Sequence, residues 1–90
     1  MWQFEVDHTF KSRFKNLSPE LQRRIKEALI ELANVDNPGL PGVYKPHLYG
    51  GSFSYHIGRN YRIIYRDIQP KHVIELIHVG DHKQSYGNDK

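Results

Sequence analysis

The chain has 90 residues, a formal net charge of +3, 38% hydrophobic residues and no cysteine. That length suits one domain with one small core, and the composition excludes a disulfide scaffold, a thiolate metal site and a cysteine nucleophile. No apolar run approaches the roughly 20 residues of a membrane span, and the acid-bearing N-terminus is unlike a signal peptide, so the expectation is a soluble, cytoplasmic protein.

The N-terminal "WQFEVD" alternates, with Trp2, Phe4 and Val6 on one side, and predicts a half-buried strand. The period then changes. Phe10, Phe14 and Leu17 are spaced by four and three among Lys11, Arg13 and Lys15, which predicts a short amphipathic helix capped by His8 or Thr9. "SPEL" starts a second helix: Ser18 caps, Pro19 takes the first position and Glu20 complements the dipole. Leu21, Ile25, Ala28, Leu29 and Leu32 form its apolar stripe, and the helix should end near Asn34. Residues 34–51 hold three prolines and four glycines and read as one long loop, the kind of loop that is often functional.

Three strand-like runs follow. "SFSYHI" puts Phe53, Tyr55 and Ile57 on one face and Ser54 and His56 on the other. "YRIIYRDI" puts Tyr61, Ile63 and Tyr65 on one face and Arg62, Ile64 and Arg66 on the other. "HVIELIHVG" is apolar on both faces and reads as a central strand. The predicted fold is α+β in the order β-α-α-β-β-β: an antiparallel sheet of about four strands, the N-terminal helix pair on one face and the other face at least partly open.

That open face carries the candidate chemistry. His56 and Arg62 share it if the hairpin pairs in register, and His82, Lys83 and Tyr86 follow the last strand closely enough to fold over it. Histidine suits acid or base work near neutral pH, and arginine matches phosphate with a planar fork of donors. Metal-independent RNA cleavage needs such a set: a base for the 2′-hydroxyl, an acid for the leaving 5′-oxygen and cations for the phosphate. The small basic excess, with six histidines that can add to it near an anion, fits a phosphate-rich partner and an ordinary solvated surface equally well. His8, His47, His72 and His78 are assigned structural or solvent-facing roles, and the histidine spacing matches no standard zinc motif, so neither metal nor cofactor is expected.

Residues 37–86 then carry a resemblance. "NPGLPGVYKPHLYGG", "SYHIGRNYRIIYRDI" and "IHVGDHKQSYG", in that order, resemble the RelE/ParE superfamily of toxins from type II toxin–antitoxin systems, and the likeness extends over nearly the whole chain. It implies a cytoplasmic mRNA interferase that cleaves mRNA, commonly at the ribosomal A site, without metal, and is silenced by a cognate antitoxin. On this resemblance Arg62 stabilises the phosphate, His56 and His82 are the acid–base candidates as in the histidine-using YafQ-like branch, and Tyr86 matches the terminal aromatic. Lys83, Arg66 and Lys45 are carried as RNA contacts. Ser54 stands where many relatives are basic, Asp81 adds an acid beside the site, and the chain stops short of the C-terminal helix of RelE. The alternatives are a ParE-type inhibitor of DNA gyrase and a catalytically degenerate relative that only binds antitoxin or RNA.

Overall fold

A computed structural model describes residues 2–81. The elements run β1 (Gln3–Val6), α1 (His8–Lys15), α2 (Pro19–Asn34), β2 (Val43–Lys45), β3 (Ser52–Ile57), β4 (Tyr61–Ile68), a 3-10 turn (Gln69–Lys71) and β5 (Val73–Asp81). They form one five-stranded sheet in the order β1-β5-β4-β3-β2. β5 is therefore an interior strand, as its two apolar faces predict. The sheet differs from the expected one in two ways. A fifth strand, β2, lies within the proline- and glycine-rich segment, and β1 pairs with β5 in parallel. Three residues between Gly42 and Pro46 are too few to show an alternation, and the partner of β1 lies some seventy residues along the chain, beyond the reach of local pattern.

The helices begin where side chains can take up their first backbone donors. Ser18 Oγ accepts from Leu21 N at 3.3 Å, with Pro19 next to it. For α1 the cap is Asp7, whose carboxylate accepts from Thr9 N at 2.8 Å, rather than His8 or Thr9. An ionised carboxylate at this position also complements the helix dipole. The stripe of α2 then buries Ile25, Ala28 and Leu32 against Ile57, Ile63, Tyr65, Ile74, Leu76 and Val79 of the sheet, with Phe10 of α1 and Trp2 closing the cluster. Removing the Leu32 side chain beyond Cβ should cost about 2–5 kcal/mol.

The opposite face is covered at its centre, where the sequence pattern leaves it partly open. Ile64 is wholly buried there with Ile77, under Leu48 of the β2–β3 connection. Ile77 reaches this face because the pairing register slips between Ile64 and Tyr65: Ile64 faces His78 while Tyr65 faces Leu76, so Ile77 is an extra residue in β5. The connection folds back over the sheet through three successive positive φ values at Tyr49, Gly50 and Gly51. At Gly51 the φ of +108° favours glycine, and a Cβ would also stand 2.7 Å from the Tyr44 hydroxyl.

Candidate active site

The candidate site is built on the β3–β4 hairpin. Ile57 pairs with Tyr61 across the turn Gly58–Asn60, and Gly58 supplies the positive φ of 64° that reverses the chain. A side chain at Gly58 would also meet the Arg24 guanidinium at 3.1 Å. The register places His56 directly opposite Arg62, and Arg62 directly opposite Gly80. Direct cross-strand partners lie on one face with Cβ atoms about 5 Å apart. The two side chains therefore leave the sheet as neighbours on one face, and Gly80 puts no side chain on the far flank of Arg62.

Arg62 is held by its own turn. Its Nη1 donates to the carbonyls of Arg59 at 3.1 Å and Tyr61 at 3.0 Å. Its Nε is buried without a partner. No carboxylate neutralises it among those bonds. A half-buried cation with unmet donors gains strongly from an anionic ligand, because its desolvation is already incurred. His56 is exposed at the rim of a groove of about 210 Å³ that Arg24, Glu27 and Glu31 of α2 also line. In that groove Tyr55 donates to Glu31 Oε2 at 3.1 Å, and burial, then Glu31, pushes its phenol pKa up.

His82, Lys83 and Tyr86 lie outside the described residues. The sheet brings His56 and Arg62 together and puts Arg66 and Lys45 elsewhere. Lys45 faces Ser52 at the other end of β3, four residues and about 13 Å from His56. Arg66 has three protein partners: Nε donates to the Gly51 carbonyl at 3.1 Å, Nη1 to Glu75 Oε1 at 2.9 Å, and Nη2 to the Tyr49 carbonyl. Expected as an RNA contact, it fastens the β2–β3 connection to the sheet. The sequence held a signal for this: Glu75 is the acid on the same face of the neighbouring strand, but its register waited on the bulge.

The remaining histidines take structural and surface positions. His72 stacks on Trp2 with ring centroids 4.0 Å apart. His78 is buried beside the Tyr49 ring, and its Nδ1 has no partner. Burial, then the Arg13 charge, lowers its pKa from the ordinary 6.5. His8 and His47 are exposed.

The fold is thus a four-stranded meander with a helix hairpin on one face and a short parallel strand beside it, and it has known counterparts. The model of the ParE toxin of type II toxin–antitoxin systems matches residues 5–86. The toxin of the intact Escherichia coli RelBE toxin–antitoxin complex superposes with a TM-score of 0.75 at 17% identity, over 90% of this chain and 96% of that one. The isolated Escherichia coli RelE toxin gives 0.73 at 17% identity, over 90% and 84%. The RelBE toxin–antitoxin complex of Mycobacterium tuberculosis gives 0.65 at 24% identity, over 90% and 98%. No curated protein matches the chain in sequence. The chain belongs to the ParE toxin family of type II toxin–antitoxin systems, within the RelE/ParE superfamily. Among the described residues no helix is long and apolar enough to cross a membrane.

Proposed function

We propose that this toxin is an endoribonuclease that cleaves mRNA, at the ribosomal A site, by attack of the RNA 2′-hydroxyl on the adjacent phosphate, and that a cognate antitoxin silences it. The observation that carries the reading is the registered pair of His56 and Arg62, with the guanidinium clamped to the turn by carbonyls and no carboxylate among its described hydrogen-bond partners. A phosphodiester seated against Arg62 finds donors fixed before it arrives. That is the condition for stabilising charge that grows in the transition state. His56, one strand away, is placed to exchange a proton with the 2′-hydroxyl or the leaving 5′-oxygen, and His82 is the second acid–base group. Tyr86 stacks on a base or joins the proton transfers, and Lys83 contacts phosphate. Neither a metal nor a cofactor has a step in this chemistry. Lys45 serves RNA from the far end of the face, whereas Arg66, with three protein partners, serves the loop.

The antitoxin reading is supported by the fold neighbours, which include toxins seated in toxin–antitoxin complexes. A second reading has one observation in its favour: the matching family model bears the ParE name. A ParE-type toxin inhibits DNA gyrase and cuts no RNA. Two assays separate them. Antitoxin-free toxin added to programmed ribosomes should release a truncated mRNA. An intact mRNA, together with gyrase supercoiling inhibited equally by wild type and Arg62→Ala, would instead establish the gyrase reading.

A further inference from the structure

A second polar concavity lies on the helix side of the sheet, at the end of β5 where the candidate site also stands. Its volume is about 490 Å³, and its walls are His8, Thr9, Ser12, Arg13 and Asn16 of α1 and its C-cap, over Val79 of β5. That is within the range of small-ligand sites. Val79 directly precedes Gly80, the residue opposite Arg62, so the two sites are separated by the thickness of the strand end. The chemistry of the lining is one-sided. Among the described residues that line it there are a guanidinium, an imidazole, two hydroxyls and a carboxamide beside the apolar Leu17 and Val79, and no aspartate or glutamate. The nearby Asp7 carboxylate is occupied at the start of α1. The Arg13 guanidinium is half-buried and has no acceptor among the described residues, while Asn16 Nδ2 is fixed on the Ser12 carbonyl at 3.2 Å.

Arginine, serine, threonine and asparagine are the side chains that contact phosphate and sugar without reading bases. A groove with no acid among its described lining residues and an arginine with no described acceptor, one strand-end away from the scissile position, continues a path for a single nucleic-acid strand. We propose that this α1 groove is a backbone-binding subsite for single-stranded RNA, in which Arg13 takes a phosphate flanking the one held by Arg62. The proposal rests on the RNA-cleavage reading above and deepens it: it predicts that the strand passes over the C-terminal end of β5.

The test uses Arg62→Ala protein, whose cleavage should be slowed at least about 100-fold, and a fluorescein-labelled single-stranded RNA of about 12 nucleotides. Affinity is measured across a salt series, beside the double variant Arg62→Ala/Arg13→Met. Loss of Arg13 should weaken binding about tenfold and reduce the magnitude of the log–log salt slope by about 0.7, the contribution of one phosphate on a single strand. Arg13→Lys should restore most of the slope. A readout that needs no change in the groove is the amide spectrum of the Arg62→Ala protein, in which Thr9, Ser12, Arg13 and Asn16 should shift as RNA is added. Identical affinity and slope without Arg13, or RNA shifts that bypass these four amides, overturns the subsite while cleavage by the wild type still stands. If a hexaglutamate peptide moves the same amides as well as RNA does, the groove receives an acidic protein segment and the proposal fails. If wild type cuts no RNA and the Arg62→Ala protein binds none, the cleavage reading and the subsite fall together.

Discussion

Arg62 and Arg66 lie on the same face of β4, about 13 Å apart, and their surroundings differ in every respect that matters. Arg66 has an opposing carboxylate, Glu75, and two loop carbonyls as acceptors. Arg62 has two carbonyls from its own hairpin, a buried Nε without a partner, and a glycine where Arg66 has its glutamate. The residue type is the same, but one guanidinium is satisfied by protein and the other is satisfied only in part. Function is therefore assigned by donor accounting rather than by residue type. The end of the strand that closes the loop is tied to it and to Glu75 by three bonds, and the end that closes the hairpin keeps an unpartnered guanidinium donor, the basis of the proposed anion site.

The contrast can be broken by mutation, and the largest effect belongs to the hairpin end. Arg62→Ala should lower the cleavage rate by about 100- to 1000-fold, from losing roughly 2–4 kcal/mol of transition-state stabilisation. Its unfolding midpoint in urea should stay close to wild type. Arg66→Ala should show the reverse pattern: a loss of about 2 kcal/mol of stability as the β2–β3 connection loses its ties, with a cleavage rate per folded molecule near that of wild type. Because the Arg66–Glu75 pair is only half-buried, a double-mutant cycle should give it a coupling of about 1 kcal/mol or less. Tyr65→Phe probes the other tie to the long loop, the buried hydroxyl that donates to the Pro38 carbonyl at 2.5 Å. It should cost about 1 kcal/mol or somewhat more, since the carbonyl is then left unsatisfied.

The smallest effect concerns His78, which sits on the covered face between the two arginines. Its folded pKa lies below the unfolded value of 6.5 because burial, then Arg13, disfavours the cation. The unfolded chain thus takes up a proton first as pH falls. The His78 contribution is whole above pH 6.5 and is lost as pH falls from there through the folded pKa. Urea unfolding at pH 7.5 and 5.5 should show this decline, and His78→Phe should flatten it. An unchanged pH dependence in the variant would remove His78 from the account.

The parts of this molecule written in periodicity were legible. Alternation in 52–57 and 61–68 gives both strands and assigns their faces, and "SPEL" with its apolar stripe marks α2 to within a residue of its ends. Because the β3–β4 hairpin is local, the pairing of His56 with Arg62 follows from the same pattern. What was hidden depends on distant partners. The three residues of β2 become a strand only because β3 offers an edge. The burial of Ile64 needs Leu48 to arrive on a loop folded through positive φ. The Arg66–Glu75 pair needs a bulge at Ile77 that no apolar run announces. His8 and Arg13 looked like ordinary surface residues of α1, and only the neighbouring end of β5 turns them into the wall of a groove. His82, Lys83 and Tyr86 come from their place in the sequence just after the last strand, and the resemblance to the RelE/ParE superfamily supplied the roles of His82 and Tyr86.

The most direct test of the division of labour is one paired measurement on antitoxin-free wild type and Arg62→Ala: mRNA cleavage on programmed ribosomes and the urea midpoint of the same preparations. The account predicts a cleaving wild type and a variant slowed at least about 100-fold with an unshifted midpoint. An inert wild type, a variant that cleaves as fast as wild type, or a variant that loses its fold along with its activity would each contradict it.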